Sequence, residues 1–356
     1  MKIFAVGPVP MDPETLATAS LQLPYFRTEE FSEMLLECAD GLKQLIGTSD
    51  DSRVVFLASS GTGAMEATVI NLFNQDDRVL IIAGGTFGKR FRLLCEVHGI
   101  PFESIDLGYG EALTRKKLEA YRDRPFTGML VNIHETLTGQ LYDMDMLSGF
   151  CKDKGMMLVV DAISTFLVDD YDMDASGVAC TIISSQKGLA LHPGLSMVIV
   201  NQEAYDTRVP RSHSPSLYFR FPDYYPEVLR GQTPYTPSIG IIMQLQEKLR
   251  RVRARGVRYY IDDCARIAAR VREGVLSLGY RIPDAYPLSN GVTPVIDPSG
   301  NAYRTVKRLK DEFGIFVIPS AGALTDTVFR IGHMGGNISD EDVDMLIDAM
   351  RRIRTS

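Results

Sequence analysis

The chain has no tryptophan among its 356 residues and only five cysteines. Those cysteines (Cys38, Cys95, Cys151, Cys180, Cys264) stand singly, with no C-x-x-C pair, which argues against both a disulfide framework and a cysteine-based zinc site. A reducing, cytoplasmic location is expected, and no metal ligand set. Long apolar runs are also missing: none approaches about 18 residues, so no transmembrane helix is expected. The N-terminal "MKIFAVGPVPMDPE" is too briefly apolar for a signal peptide and is interrupted by Pro8, Pro10 and Pro13. Positive charge is not in excess, since 38 basic against 45 acidic side chains leave a net charge of −7. Nucleic acid and anionic membrane are therefore unsuited as main partners. Neither G-x-x-x-x-G-K-[ST] nor G-x-G-x-x-G occurs, which removes support for nucleoside triphosphates and dinucleotides. A small-molecule substrate is the expectation that remains.

What is present is an alternation of apolar strands and helical segments. "RVVFLA" (53–58), "RVLIIA" (78–83), "GMLVNI" (128–133), "MMLVVDA" (156–162), "CTIIS" (180–184) and "MVIV" (197–200) are continuous apolar runs. Such runs predict strands buried on both faces of a largely parallel sheet. After the first, Ala64, Met65, Thr68, Val69 and Leu72 are spaced as one helical stripe, with Glu66 placed to suit the helix dipole. The segment 205–240 is rich in proline and aromatic rings and reads as a long functional loop. Two basic helices over 239–279, broken near Gly256, follow it. From about 280 the order is strand 290–296, helix 303–313, strand 315–319, strand 327–332 and helix 340–353 with Ser339 as N-cap, a compact α+β unit.

Three strand-end features carry chemistry. In "LASSGTGAMEA" (57–67) a strand breaks into small residues and opens a helix, which suits a phosphate cradle or a plain turn capped by Ser60 or Thr62. In "LVVDAIST" (158–165) Asp161 ends an apolar strand, where a fixed carboxylate could hold a ring nitrogen protonated or cap a helix. In "CTIISSQKGLALHPG" Lys187 reaches the same sheet edge, where desolvation would make its amine a usable nucleophile. Anion cup, strand-end aspartate and strand-end lysine together describe a pyridoxal phosphate site.

On "SSGTGAMEA", "GGTFGKR", "HETLTG", "VVDAIST", "SSQKGLALHPG", "GQTPYTP" and "FRIGHMGG", the chain resembles class V, fold-type I pyridoxal 5'-phosphate-dependent aminotransferases. The likeness is to the branch of alanine–glyoxylate, serine–pyruvate and 2-aminoethylphosphonate–pyruvate transaminases, and it extends over nearly the whole chain. It implies an α/β large domain with a mostly parallel seven-stranded sheet between helices and a small C-terminal α+β domain. The parts would be 1–20 near the active site, 21–255 binding the cofactor and 256–356 the small domain. It further implies Lys187 as the Schiff-base lysine and later the base, with Asp161 on the pyridinium nitrogen. Ser60, Gly61, Thr62 and Gln186 would hold the phosphate, Phe87 would stack on the ring and Thr136 would lie near its phenolic oxygen. Thr236 would contact the phosphate held by a partner subunit, so that a homodimer follows. Arg330 would grip the substrate carboxylate, with Gly7 and Pro8 beside the substrate side chain. The reaction would pass an amino group from a small donor to pyruvate or glyoxylate with ping-pong kinetics.

The chain departs from that pattern where relatives carry His-x-Glu, because here His134 directly precedes Glu135. Two rivals are a cysteine desulfurase or related lyase and a non-catalytic scaffold. Against the first stand Gln186 before the lysine and the lack of any cysteine after Cys264. Against the second stands the joint presence of Lys187, Asp161 and Arg330.

Overall fold

A computed structural model of the chain describes residues 1–212 and 214–355. The strands in chain order are β1 (Lys2–Phe4), β2 (Arg53–Leu57), β3 (Val79–Ala83), β4 (Phe102–Asp106), β5 (Gly128–Asn132), β6 (His134–Glu135), β7 (Gln140–Leu141), β8 (Met157–Asp161), β9 (Cys180–Ser184), β10 (Ser196–Val200), β11 (Val292–Ile296), β12 (Ile315–Pro319) and β13 (Val328–Gly332). The helices are α1 (Pro13–Ala19), α2 (Glu29–Ile46), α3 (Gly61–Leu72), α4 (Thr86–His98), α5 (Arg115–Glu119), α6 (Met144–Lys154), α7 (Gln202–Arg208), α8 (Phe221–Val228), α9 (Ile239–Arg255), α10 (Val257–Ser277), α11 (Ala302–Phe313) and α12 (Asp340–Thr355). Local chemistry sets many ends: the Thr28 hydroxyl accepts from Phe31 N at the start of α2, which stops at left-handed Gly47. Ser339 and Asp342 cap α12 reciprocally.

Seven strands form one sheet in the order β2-β10-β9-β8-β5-β3-β4, parallel except for β10, which runs antiparallel to both neighbours. Every residue of β3, β5, β9 and β10 is buried, as uninterrupted apolar runs require. The seventh strand, β4, escaped the sequence reading because "FESID" is an edge strand with a half-exposed polar pattern. Helices cover both faces and enclose two apolar cores. Parallel register brings Asn132 beside Asp161 and Asp161 beside Ile182, so the carboxyl ends of β5, β8 and β9 share one edge.

A second sheet, ordered β1-β12-β13-β11, packs against α10, α11 and α12 around a third core. Its outer strand β1 comes from the N-terminus and pairs in parallel with β12. A small seam of Val6, Val9, Val168, Ala190, Val292 and Met334 joins the two sheets' territories beside the Lys187 turn. The proline-rich stretch is less loop-like than expected, since it contains α7, a 3-10 turn at Val209–Arg211 and α8. It lies over α3: Asn71 Nδ2 donates to Phe219 O, and Asn71 Oδ1 accepts from Phe221 N and Ser212 Oγ. That cover explains why α3 is buried nearly all round and not along one stripe. Glu66 lies past the first turn of α3 and meets His98 Nε2 at 2.9 Å.

Candidate active site

Lys187 leaves the turn after β9 and is 8% exposed. Its Nζ donates to Val6 O at 2.6 Å, and Val9 N donates to Gln186 O at 3.2 Å, so the N-terminal segment lies against the lysine turn. Gly7 makes this approach possible: its φ is +118°, and a Cβ there would overlap the Lys187 side chain. Gly188 is required for another reason, because a Cβ would collide with the Phe166 carbonyl oxygen. Two non-glycine residues with left-handed backbone, Leu167 and Ala190, lie on either side of this turn, a kind of strain that gathers at functional sites.

Asp161, at the end of β8, is 5% exposed and accepts from Ile163 N at 2.9 Å through Oδ1. Burial pushes its carboxyl up to about 7, against the pull of that bond and of the Lys187 and Arg90 charges. Burial likewise lowers Lys187 to about 8, which Asp161 opposes and Arg330 reinforces. Each group therefore sits near neutrality, within the electrostatic reach of the other.

Both border a cavity of about 190 Å³, lined also by Ser60, Gly61, Thr62, Phe87, Thr136 and Gln186. Ser60 occupies the N-cap of α3 without a side-chain capping bond, so the amide groups of the first turn are left for another acceptor. Arg90, one turn into α4, donates from Nη1 to Thr62 Oγ1 at 2.6 Å and lies 5.2 Å from the centre of the Phe87 ring. Apart from Lys187, it is the only cationic side chain on the lining. His134 also faces the cavity. Its Nδ1 donates to Ser164 O at 3.2 Å, burial lowers it to about 4, and its Nε2 is buried without a partner. With Nδ1 donating, the neutral imidazole keeps its Nε2 lone pair free. The one-place shift from the pattern of relatives thus leaves His134 on the cavity.

These residues fit a planar ring carrying a phosphate. The α3 N-terminus, the Thr62 hydroxyl and Arg90 suit the dianion, Phe87 offers a stacking face, and Asp161 offers an anion to a ring nitrogen. Of the residues singled out in the sequence, Ser60, Gly61, Thr62, Phe87, Thr136, Asp161, Gln186 and Lys187 line one cavity. Gly7 adjoins it through Lys187, while Pro8 is exposed. Thr236 is exposed and is not among the lining residues.

Arg330 adjoins the cavity through Thr136, whose carbonyl accepts from Nη1 at 3.3 Å; Nη2 donates to Pro319 O at 3.4 Å. Its Nε is buried without a partner, and it forms no ion pair among the described residues. Glu135 is fully buried nearby, with its carboxylate taken by Asn132 Nδ2 at 2.9 Å and Leu137 N at 3.2 Å. A desolvated guanidinium with only two long bonds to carbonyls is ready for a carboxylate.

Several site residues were not singled out in advance. Arg90 stands inside the quoted "GGTFGKR", but nothing local marks it as reaching α3. Met65, Ile163 and Ser164 complete the lining and read in the sequence as ordinary core or turn positions. Arg27 braces the "GQTP" turn by bonding Gln232 Oε1, Thr233 O and Pro234 O. All five cysteines are buried, which leaves no exposed thiol for desulfurase chemistry. Among the described residues, no group of three or more His, Cys, Asp or Glu could hold a metal ion.

The family described as aminotransferase class-V matches residues 24–224. The chain is 27% identical over 353 residues to a soluble hydrogenase small subunit of Synechococcus sp., covering 98% of this chain and 91% of that protein. It is 28% identical over 344 residues to the L-aspartate–glyoxylate aminotransferase of Paracoccus denitrificans, covering 94% and 86%. Among solved structures, the subgroup IV aspartate aminotransferase of Thermus thermophilus superposes with a TM-score of 0.91 at 26% identity, covering 99% of each chain. With an α/β fold of matching extent and more than half its length within the family's span, the chain belongs to the class-V aminotransferases.

Proposed function

We propose that the protein is a pyridoxal 5'-phosphate-dependent transaminase that moves an amino group from a small α-amino acid to a 2-oxo acid such as pyruvate or glyoxylate. The observation that carries this reading is Lys187 and Asp161 on one cavity that starts at a helix N-terminus, with Arg330, which forms no ion pair among the described residues, beside it. Donors named for relatives, L-aspartate among them, support a carboxylate-bearing substrate.

When bound, pyridoxal phosphate supplies a ring that accepts the electrons left as the Cα–H bond breaks. Lys187 would hold the cofactor through its amine, and its Nζ is the base available for the Cα proton. Asp161 would offer its carboxylate to a ring nitrogen and favour that nitrogen's protonated form. Ser60, Gly61, Thr62, Gln186 and Arg90 would hold the phosphate, and Phe87 and Ile163 would offer the ring apolar faces. Arg330 orients the substrate through its carboxylate, for which a planar fork is suited. Burial of Lys187, Asp161 and His134 excludes water and keeps the proton transfer between fixed groups.

The reading extends to a homodimer in which exposed Thr236 serves the partner's phosphate. Exposed Leu16, Leu21, Leu23, Tyr25 and Leu217 support such a covered surface. No helix among the described residues is long and apolar enough to cross a membrane. Five unpaired thiols support a reducing, cytoplasmic location. The test is a panel of amino donors with pyruvate and glyoxylate, following the visible absorbance of the bound cofactor. A colourless protein that cannot be loaded, or a Lys187→Ala variant with unchanged absorbance, would defeat the proposal.

A further inference from the structure

Tyr109 lies in the turn after β4, and its hydroxyl is buried without a hydrogen-bond partner. The turn itself is well held. Gly108 N donates to Glu111 Oε2 at 2.8 Å, and the Gln140 amide, oriented so that both of its atoms are satisfied, donates to Glu111 O at 3.2 Å and accepts from Leu113 N at 3.0 Å. This ties the turn to the β6–β7 hairpin, whose connecting residues include Thr136. The neighbouring phenol of Tyr286 satisfies its hydroxyl on Thr138 O at 3.2 Å, whereas the Tyr109 hydroxyl, like those of Tyr142 and Tyr205, has no partner among the described residues.

Burial raises the Tyr109 phenol and the Arg330 charge works against that rise, so the two side chains lie within electrostatic reach of each other. Arg330 Nε is likewise buried and unpartnered, and so is Ser320 Oγ. Ser320 directly follows β12, in which Ile318 pairs with Arg330. The Tyr109 hydroxyl and Arg330 Nε thus both lack partners, and the buried Glu135 carboxylate, though it acts on Arg330, makes no ion pair with it among the described residues. Folded proteins seldom leave such groups unsatisfied, and an exception calls for a functional explanation.

We propose that the Tyr109 hydroxyl donates to the substrate carboxylate gripped by Arg330, making Tyr109 a substrate-binding residue of the large sheet that meets a ligand anchored on the small one. The inference rests on the transaminase reading and adds the donor that the arginine fork lacks. It ties preference for α-carboxylates to the β4 turn.

The experiment compares wild-type holoenzyme with Tyr109→Phe and Arg330→Ala, using alanine, serine and aspartate as donors to glyoxylate. Removal of one hydrogen bond to a charged group is expected to raise KM for the donor about tenfold and leave kcat within about threefold. The melting temperature should stay the same or rise, because the hydroxyl has no protein partner to lose. Calorimetric titration with oxalate reads the same contact without turnover: Tyr109→Phe should weaken it about tenfold and Arg330→Ala should abolish it. Unchanged KM and oxalate affinity overturn the proposal, as does a joint fall of kcat and melting temperature, or a wild type that binds no oxalate. Oxalate binding that depends on Tyr109 in a protein inactive with every donor upholds the contact and defeats the transaminase reading instead.

Discussion

The amine of Lys187 should react at a pH where ordinary lysines do not. Burial lowers it from 10.5 to about 8, while Asp161 acts in the opposite direction by favouring the ammonium form. An amine with the ordinary value is about 0.1% free base at pH 7.5, whereas one near 8 is about one quarter free base. The reactive fraction is thus roughly 200-fold larger, which is enough to single out one lysine among many. The perturbation is Asp161→Asn. Loss of the carboxylate removes the influence that raises Lys187, so the midpoint should move further down and the bare amine should become more reactive at neutral pH. Turnover should fall at the same time, because the anion facing the ring nitrogen is gone. The assay labels cofactor-free protein with a small amine-directed reagent between pH 6 and 10, and mass spectrometry reads the extent at Lys187. A wild-type midpoint above about 9.5, or an upward shift in Asp161→Asn, would refute the electrostatic reasoning.

Three further outcomes are expected. Arg330→Ala should lower kcat/KM for α-amino acids by about 10²–10⁴, since two charge-assisted hydrogen bonds of roughly 1.5–3 kcal/mol each are lost; Arg330→Lys should recover part of this, and steady-state kinetics with the donor panel decides it. Arg90→Gln should weaken pyridoxal phosphate by at least about tenfold while leaving pyridoxal, which has no phosphate, nearly unaffected; equilibrium dialysis of the two against apoprotein checks the difference. Gly188→Ala forces a methyl group against the Phe166 carbonyl, and denaturant unfolding should show a loss of about 2–4 kcal/mol, because a backbone oxygen cannot move aside as a side chain can.

The large sheet was legible because its strands are buried on both faces and therefore read as unbroken apolar runs. Edge strand β4 was not, since one exposed flank gives it the polarity of a loop. The helix break at Gly256 and the capping serine before α12 were local too, and local rules sufficed for them. The segment 205–240 misled because proline and aromatic content resemble a loop, yet proline is tolerated in the first turn of α8.

The sequence by itself determined the apolar alternation that makes an α/β fold, and it placed a small-residue turn, a carboxylate and a lysine at strand ends that parallel pairing must bring to one edge. Tertiary structure decided how charged those groups are and what they face. Val6 O meets Lys187 Nζ across 181 residues, and Thr136 O meets Arg330 across 194. The N-terminal strand completes the small sheet, Arg90 reaches Thr62 from the next helix, and Tyr109 is left with its hydroxyl unspent. Periodicity records how a residue is buried relative to its near neighbours in the chain. Desolvation and unpaired donors arise from segments far apart in sequence, so they exist only once the two sheets have closed on each other.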